Sequence, residues 1–504
     1  MSSTGQVERR LVEAVVAGDV LELTGSADDR TISAEVIRDL VRGRLADEPD
    51  PHGVRIRGAR VEGRIDLDNI TSDIAVELRD CVLPDGLTLQ NAQLRAVALI
   101  GCRVEQPIEA TRLAARTFSL EKSTVTGGVR LLAARVGTLN CGGARLDSTT
   151  TPALDADGLH TDQSVFLHDG FTAVSASERG TVRLVGADVA GQLNCRGARL
   201  ENTAGPALDV GNARVAQEVL LRDGFSAVAT TEHGAVRLIG AYLGSLTCDG
   251  ARITIDAGPA MVGDGLRVDR DLTLDWGFTA TGAGDRAVLE LTFARVGGTF
   301  ALDVDGVTSE GPLVDLDGLT YTGLPWPTSA RRWLTVLRTH TPAYSAQAYQ
   351  QLAGAYRSAG HDRDARAILI AQRRDQVQRA GLSRSERAWS RVTGFTLGYG
   401  YQPWRALLLL LATLAAAVAL SVVGGHHGGL TQKPGTAACS TVDQIGVGLD
   451  LGTPLLKTGA RDRCQPTATT AGEILTVAGW LLQLLAWTFA TLFIAGFTSA
   501  VRKT

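Results

Sequence analysis

Apolar residues recur along this chain in short alternating bursts. The triplets VRI at 54, VEL at 76, VAL at 97 and FSL at 118 lie 21–22 residues apart. Midway between them fall IDL at 65, LTL at 87, IEA at 108 and VRL at 129. A second element, GARV (58–61), DCVL (80–83), GCRV (101–104) and GARL (143–146), sits between triplets. Apolar residues at first and third place share one face of a strand. No single copy can bury that face alone, so regular recurrence implies stacked copies with a continuous core. The pattern predicts a mainly β fold: a right-handed β-helix, pentapeptide-like, of about eleven turns. Repeats at this spacing give each turn four short sides and about 21 residues.

From residue 139 every second half-turn lengthens. The triplets begin at 139, 154, 165, 182, 193, 208, 219, 236, 246, 261, 272, 289 and 300. The added residues always follow the same half-turn, which predicts a row of loops along one edge: 147–151, 172–180, 201–205, 226–234, 254–258 and 279–287. Loops on a rigid scaffold are where binding usually resides, so this row is the predicted surface for a protein partner.

The stretches TLNCGGARL, QLNCRGARL and SLTCDGARI place Cys141, Cys195 and Cys248 at the third, inward position of equivalent half-turns. Leu167, Leu221 and Leu274 hold that position in the intervening turns. Stacked turns are about 4.8 Å apart, which puts successive cysteines roughly 9–10 Å apart, beyond disulfide or zinc reach. They read as core thiols. Cys81 and Cys102, one turn apart, share a corner position with Ala59 and Ala144, where a small side chain is expected. They too are expected to be unpaired core residues.

The flanks depart from the repeat. Residues 1–50 read as short helices, with SAEVIRDLVRGRL (34–46) capping the open end of the stack, and the β-helix is placed at 51–323. Residues 324–400 form a helical connector in which YQQLAGAYRSAGHDRDARAILIAQRR (349–374) reads as one tetratricopeptide-like hairpin turning at Gly360. Residues 401–504 read as a membrane domain: uncharged runs at 406–423 and 474–501 are long enough to span a bilayer, with an outer loop at 424–473. The arginines at 373, 374, 379, 384 and 387 lead into Arg391, Tyr399, Tyr401, Trp404 and Arg405. Cationic and aromatic residues just before an apolar span predict an interfacial anchor on membrane lipid.

Composition changes this picture in a few places. The net charge is −4, so no global field favours nucleic acid as a partner. Only four of the 50 basic residues are lysine, which points to a high-GC bacterial genome. The N-terminal MSSTGQVERRLVEAVV lacks the apolar run of a secretory signal. The expectation is a multi-pass plasma-membrane protein with its N-terminal part and C-terminus in the cytoplasm. The outer loop would then face an oxidising space, where Cys439 and Cys464 form a candidate disulfide. Within that loop GGHHGG (424–429) reads as a flexible turn. IGVGLDLG (445–452) superficially matches a potassium-filter sequence but lacks a threonine before its first glycine.

Motifs for chemistry are missing. GAGDRA (282–287) fits a dinucleotide fingerprint but lies in an inserted loop rather than before a helix. Asp169, Asp223 and Asp275 recur before a Gly-Phe corner and read as turn formers. No catalytic residues, metal ligands or cofactor are identifiable. The cap TISAEVIRDLVRGR, the GAR-V/L repeats, YQQLAGAYRSAGHDRDAR, YGYQPWRALL and the paired spans together resemble a group of bacterial membrane proteins with pentapeptide-like β-helices. Members are often labelled membrane-associated oxidoreductases, so the resemblance implies that activity as one alternative, without residues to carry it. The residues themselves favour a membrane-anchored scaffold or interaction protein, with a channel-like two-span protein as a further alternative.

Overall fold

The computed structural model describes residues 3–46, 48–379, 383–400, 402, 404–435, 437–453 and 458–502. The chain divides into two compact units, Met1–Ala365 and Arg366–Thr504.

The first unit is a parallel β-solenoid of about eleven turns. Val54 pairs with Val76, Val76 with Val97, Val97 with Phe118 and Phe118 with Leu139, so these turns keep the triplet spacing read from the sequence. From Leu139 the successive partners are Val165, Leu193, Val219, Leu246, Leu272 and Phe300, and each of these turns is longer than any of the first four. A period near 21 therefore holds only for the first four turns, and one near 26 describes the longer remainder. The four sides form three sheets of 19, 12 and 11 strands. Two sides merge because strands such as Arg135–Asn140 and Tyr242–Thr247 pass their shared corner unbroken. Glycine allows this close approach: a methyl group at Gly137 would lie 2.4 Å from the Arg116 carbonyl oxygen, and one at Gly244 2.0 Å from that of Gln217.

Inside, Cys141, Cys195 and Cys248 are fully buried and free. The strand register explains their two-turn interval. The corner position runs Ala59, Cys81, Cys102, Ser123, Ala144 and then Phe171, Ala198, Phe225, Ala251, Phe278. The expectation that only small side chains fit this corner is overturned from the sixth turn, where Phe171 begins an alternation with alanine. Cys and Ala occupy the same turn, and Leu and Phe the next, so a small pair alternates with a large pair along the axis. Each buried ring expands into the room left by the small pairs above and below, the large-against-small alternation that fills a core without voids.

Both ends are closed, and the N-terminal region is less purely helical than its sequence suggests. Helix α1 (Ser3–Ala17) is followed by Leu21–Glu22, which pairs with Ile56–Arg57, and by Thr31–Ser33, which pairs with Arg60–Glu62. The solenoid thus begins before residue 51. Helix α2 (Ala34–Val41), capped by Ser33, then takes the place of a third side, and Arg38 reaches Asp66 on the first full turn. At the far end come α3 (Ala330–Thr335) and α4 (Ala346–Ser358). Trp333 stacks on Phe300 at 5.7 Å, and the amides of Gln347 and Gln351 donate to the edge carbonyls of Leu319 and Tyr321. The segment read as a connector is therefore also the lid on the last turn. Helix α5 (Asp362–Arg379) follows after the turn at Gly360.

The second unit is helical. Helix α6 (Arg384–Leu397) starts in a capping box formed by Ser383 and Glu386 and ends at Gly398. Helix α7 (Trp404–His426) is long and apolar enough to cross a membrane, and so is Thr470–Ala495 within α10. Between them lie α8 (Thr441–Gly452), α9 (Ala460–Arg463) and a two-stranded ribbon pairing Leu430–Gln432 with Cys464–Pro466. Helix α10 (Thr470–Arg502) completes the unit. IGVGLDLG lies within α8, in keeping with its rejection as a filter. One sequence reading is corrected in part: Gly424-Gly425-His426 completes α7, and the turn is confined to His427-Gly428.

Candidate interaction surface

The added residues of the later turns build one corner of the solenoid, but not all of them are loop. Thr172–Ser175, Ser226–Ala229 and Thr279–Thr281 are strands of the 12-stranded sheet. The predicted loops 172–180, 226–234 and 279–287 therefore each begin as strand. The corners proper lie beyond those strands, at 148–153, 176–181, 203–207, 230–235, 256–260 and 282–288. Their inner residues are buried and locked. The Ser175 hydroxyl donates to the Thr151 carbonyl at 2.9 Å, and the Asn202 amide donates to Thr181 Oγ1 at 2.9 Å and to the Ser177 carbonyl at 3.1 Å. Asn202 Oδ1 accepts the backbone N–H groups of Ala204 and Gly205. Only the tips reach solvent, among them Thr149, Glu178, Arg179, Glu232, His233, Asp285 and Arg286.

These corners overhang a feature that the sequence reading missed. The outward position of the 11-stranded sheet runs Glu109, Arg130, Asp155, Arg183, Asp209, Arg237 on successive turns. Acid and base alternate, and each of the four inner charges lies between two of the opposite sign. Arg130 meets Glu109 at 2.9 Å, Arg183 lies 3.6 Å from Asp209, and Arg237 lies 3.5 Å from Asp209. The corner residue Arg179 closes over the ladder, reaching Asp155 at 2.9 Å and Asp157 at 3.2 Å, while Arg183 reaches Asp157 at 2.6 Å. Farther along, Arg286 covers Glu290 in the same way. The side chains of Asp155, Asp209 and Arg183 are only 3%, 6% and 14% exposed. Charges this enclosed persist because each has a partner. The signal was in the sequence, in the middle residue of the triplets VRL, LDA, VRL, LDV, VRL, but the apolar residues around it drew the reading.

A second column stands on the corner between the first two sides. There His168, Arg196 and Arg222 are followed on later turns by Asp249, Asp275 and Asp303. The register separates residues that the sequence grouped. Asp169 and Asp223 hold the left-handed corner position, with φ of 53° and 54°, which Trp276 occupies in the third copy at 46°. Asp275 stands one place earlier, buried beside Asp249. Burial, then the hydrogen bond and charge of Asp249, push its carboxyl up to about 6. Among the described residues no group of three or more His, Cys, Asp or Glu is arranged to hold a metal ion.

The remaining predicted residues are placed as follows. Burial pushes the thiols of Cys141 and Cys195 up to about 12 and that of Cys248 higher still, so none supplies a thiolate. Cys81 and Cys102 are free and buried, and each thiol donates to a backbone carbonyl, Cys81 to Arg79 at 3.1 Å and Cys102 to Leu78 at 3.2 Å. The proximity of the two thiols lowers the first and raises the second. Cys439 and Cys464 are joined, with Cα atoms 6.3 Å apart. Of the membrane-interface residues, Arg391 is exposed on α6 and Tyr399 is half-buried with φ 59°. Trp404 opens α7 with the Arg405 guanidinium 5.9 Å from its ring. Tyr401 lies outside the described residues. Comparison of the chain with family models, with curated proteins and with solved structures finds no match.

Proposed function

We propose that this protein is a membrane-anchored scaffold. In this reading α7 and α10 hold the chain in the plasma membrane, and the solenoid presents the row of corner tips to a protein partner in the cytoplasm. The observation that carries the reading is the occurrence, in one chain, of two apolar helices and a solenoid with a repeated row of exposed corner tips. The charge ladder is internally neutralised and the free thiols are buried in the core. What the late turns offer outward is a repeated, rigid row of polar tips, and rigid repeated corners suit the binding of an extended partner. Arg391, Trp404 and Arg405 would seat the anchor at the lipid interface.

The test is site-specific photo-cross-linking in intact cells, with the probe at Glu178, Glu232 or Asp285 and a control at Glu77 on another side of the stack. A common cross-linked species from the three corner positions, absent from the control, supports the reading. No cross-link, or an equal one from Glu77, overturns the corner row as the partner surface. The oxidoreductase activity implied by the resemblance is tested on the same purified protein: flavin or nicotinamide absorbance that co-purifies in stoichiometric amount would replace the scaffold reading.

A further inference from the structure

Helix α8 lies against the two apolar helices in a specific register. Gln444, in its first turn, lies beside Gly425 near the end of α7, where a methyl group would be 2.5 Å from the Gln444 side chain. One turn on, a methyl group at Gly448 would be 2.5 Å from Val418 Cα, and one at Gly452 would be 3.3 Å from Ala417 and Leu414 side-chain atoms. Numbers rise along α8 as they fall along α7, so the two helices run antiparallel. Gly448 and Gly452 form a small-xxx-small pair, the spacing that lets helix backbones approach closely in lipid. On the other flank, a methyl group at Gly479 of α10 would lie 2.9 Å from Leu451.

These contacts set a depth. Val418 and Leu414 stand eight and twelve residues before His426, about 12 and 18 Å along a helix rising 1.5 Å per residue. Gly479 is nine residues into α10, about 14 Å by the same measure. A hydrocarbon core is about 30 Å thick, so the end of α8 lies near its middle. The chain then comes back. The Thr458 hydroxyl donates to the Gly446 carbonyl, Ala460 packs on Gly446, and Cys464 starts the strand that pairs with Leu430–Gln432 just past α7. The Cys439–Cys464 disulfide joins the two limbs where they leave.

We propose that residues 440–453 and 458–464 are the two limbs of a re-entrant hairpin that enters the bilayer from the disulfide side and returns to the same side, with the inner end of α8 near mid-depth. This rests on the reading of α7 and α10 as membrane spans. Irregular backbone at membrane depth is tolerated only where its polar groups are satisfied by protein. The described residues on either side of the turn meet that demand: the Thr453 hydroxyl donates to the Leu449 carbonyl, and the buried Asp450 carboxylate accepts the N–H groups of Thr458 at 2.5 Å and Arg461 at 3.4 Å. Asp450 is thus the positioning residue that ties the returning limb to α8. On α8 the hairpin exposes the apolar Val442 and Ile445, while the charged Arg461, Asp462 and Arg463 are exposed on the returning limb next to the disulfide.

The experiment uses the full chain in lipid nanodiscs with a nitroxide attached to single cysteines introduced one at a time, Leu449→Cys, Leu411→Cys and Gln432→Cys. The native free cysteines are buried and stay unlabelled. Accessibility to oxygen against a water-soluble nickel chelate reads depth. Nitroxides at 449 and 411 both favouring oxygen, with 432 favouring nickel, is the expected result. A 449 label as nickel-accessible as 432, with 411 still deep, overturns the hairpin and leaves the spans intact. Nickel access at 411 as well overturns the spanning reading and the hairpin with it.

Discussion

The first four turns of the solenoid and the later ones share the same sides and strand register, yet are stabilised differently. In the early turns the corner position holds Ala59, Cys81, Cys102 and Ser123, and a turn closes at the shorter period. In the later turns phenylalanine enters every second corner and each turn gains several residues. The added residues also roof the charge ladder, so its central members become buried: Arg130 in the early part keeps 39% of its side chain exposed and Arg183 only 14%, while Arg237 farther along keeps 33%. A thicker coil and a roofed ladder therefore arrive together. The lesson is that a solenoid changes its cross-section by altering one corner while its other sides keep pairing in register.

The largest effect expected to break this contrast is at the rings. Phe225→Ala removes a fully buried side chain whose neighbours along the axis, Ala198 and Ala251, are too small to fill the space. The loss should be about 3–5 kcal/mol, read as a lowered unfolding midpoint of the full protein in detergent. The early counterpart Cys102→Ala removes one sulfur atom and should cost about 1–2 kcal/mol, in line with large-to-small core changes of that size. Equal losses would mean that the late corner is not packed more tightly than the early one.

The ladder gives the next contrast. Arg183→Leu removes the cation between the buried Asp155 and Asp209 and the 2.6 Å partner of Asp157. Arg179 and Arg237 still reach the two buried carboxylates, so the expected cost is about 1–3 kcal/mol. Arg130→Leu faces Glu109 in a more open setting, where ion pairs contribute about 0–1 kcal/mol. Parallel denaturation of the two variants measures the difference. If Arg183→Leu were neutral, the late ladder would be surface decoration and the roof of corner residues would have no electrostatic role.

How much of this was legible follows from what each feature depends on. The sides and the stacking could be read because alternation in a triplet such as VRI at 54 is local and its recurrence needs no knowledge of neighbours. The place of Cys141 in the core followed from the same periodicity. Phe171 in a corner shared with Ala144 did not, because whether a large residue fits depends on the residues one turn above and below. The strand Thr172–Ser175 was read as loop for a related reason: added length marks an insertion without showing where the pairing stops. In the second unit, IGVGLDLG carries glycines that suit a tight turn or a close helix contact equally, and only the position of Gly448 against Val418 decides.

The smallest expected effect concerns pH and sharpens the contrast at the other column, where an early basic run gives way to late acids. Asp275 keeps its proton to about pH 6 in the folded chain because burial and the neighbouring Asp249 disfavour its charge, against 3.8 for an ordinary carboxyl. The folded state therefore binds this proton more tightly than the unfolded chain does. Linkage then requires the stability contributed here to be fully present below about pH 4, to fall as pH rises through about 6, and to stay lost above it. Asp275→Asn cannot ionise, so it should match the parent near pH 4 and unfold at a modestly higher temperature above pH 7. Thermal melts of parent and variant across pH 4 to 8 read the crossover. A gap that does not widen with pH would mean that Asp275 titrates as an ordinary carboxylate and that the late column is open to solvent like the early one.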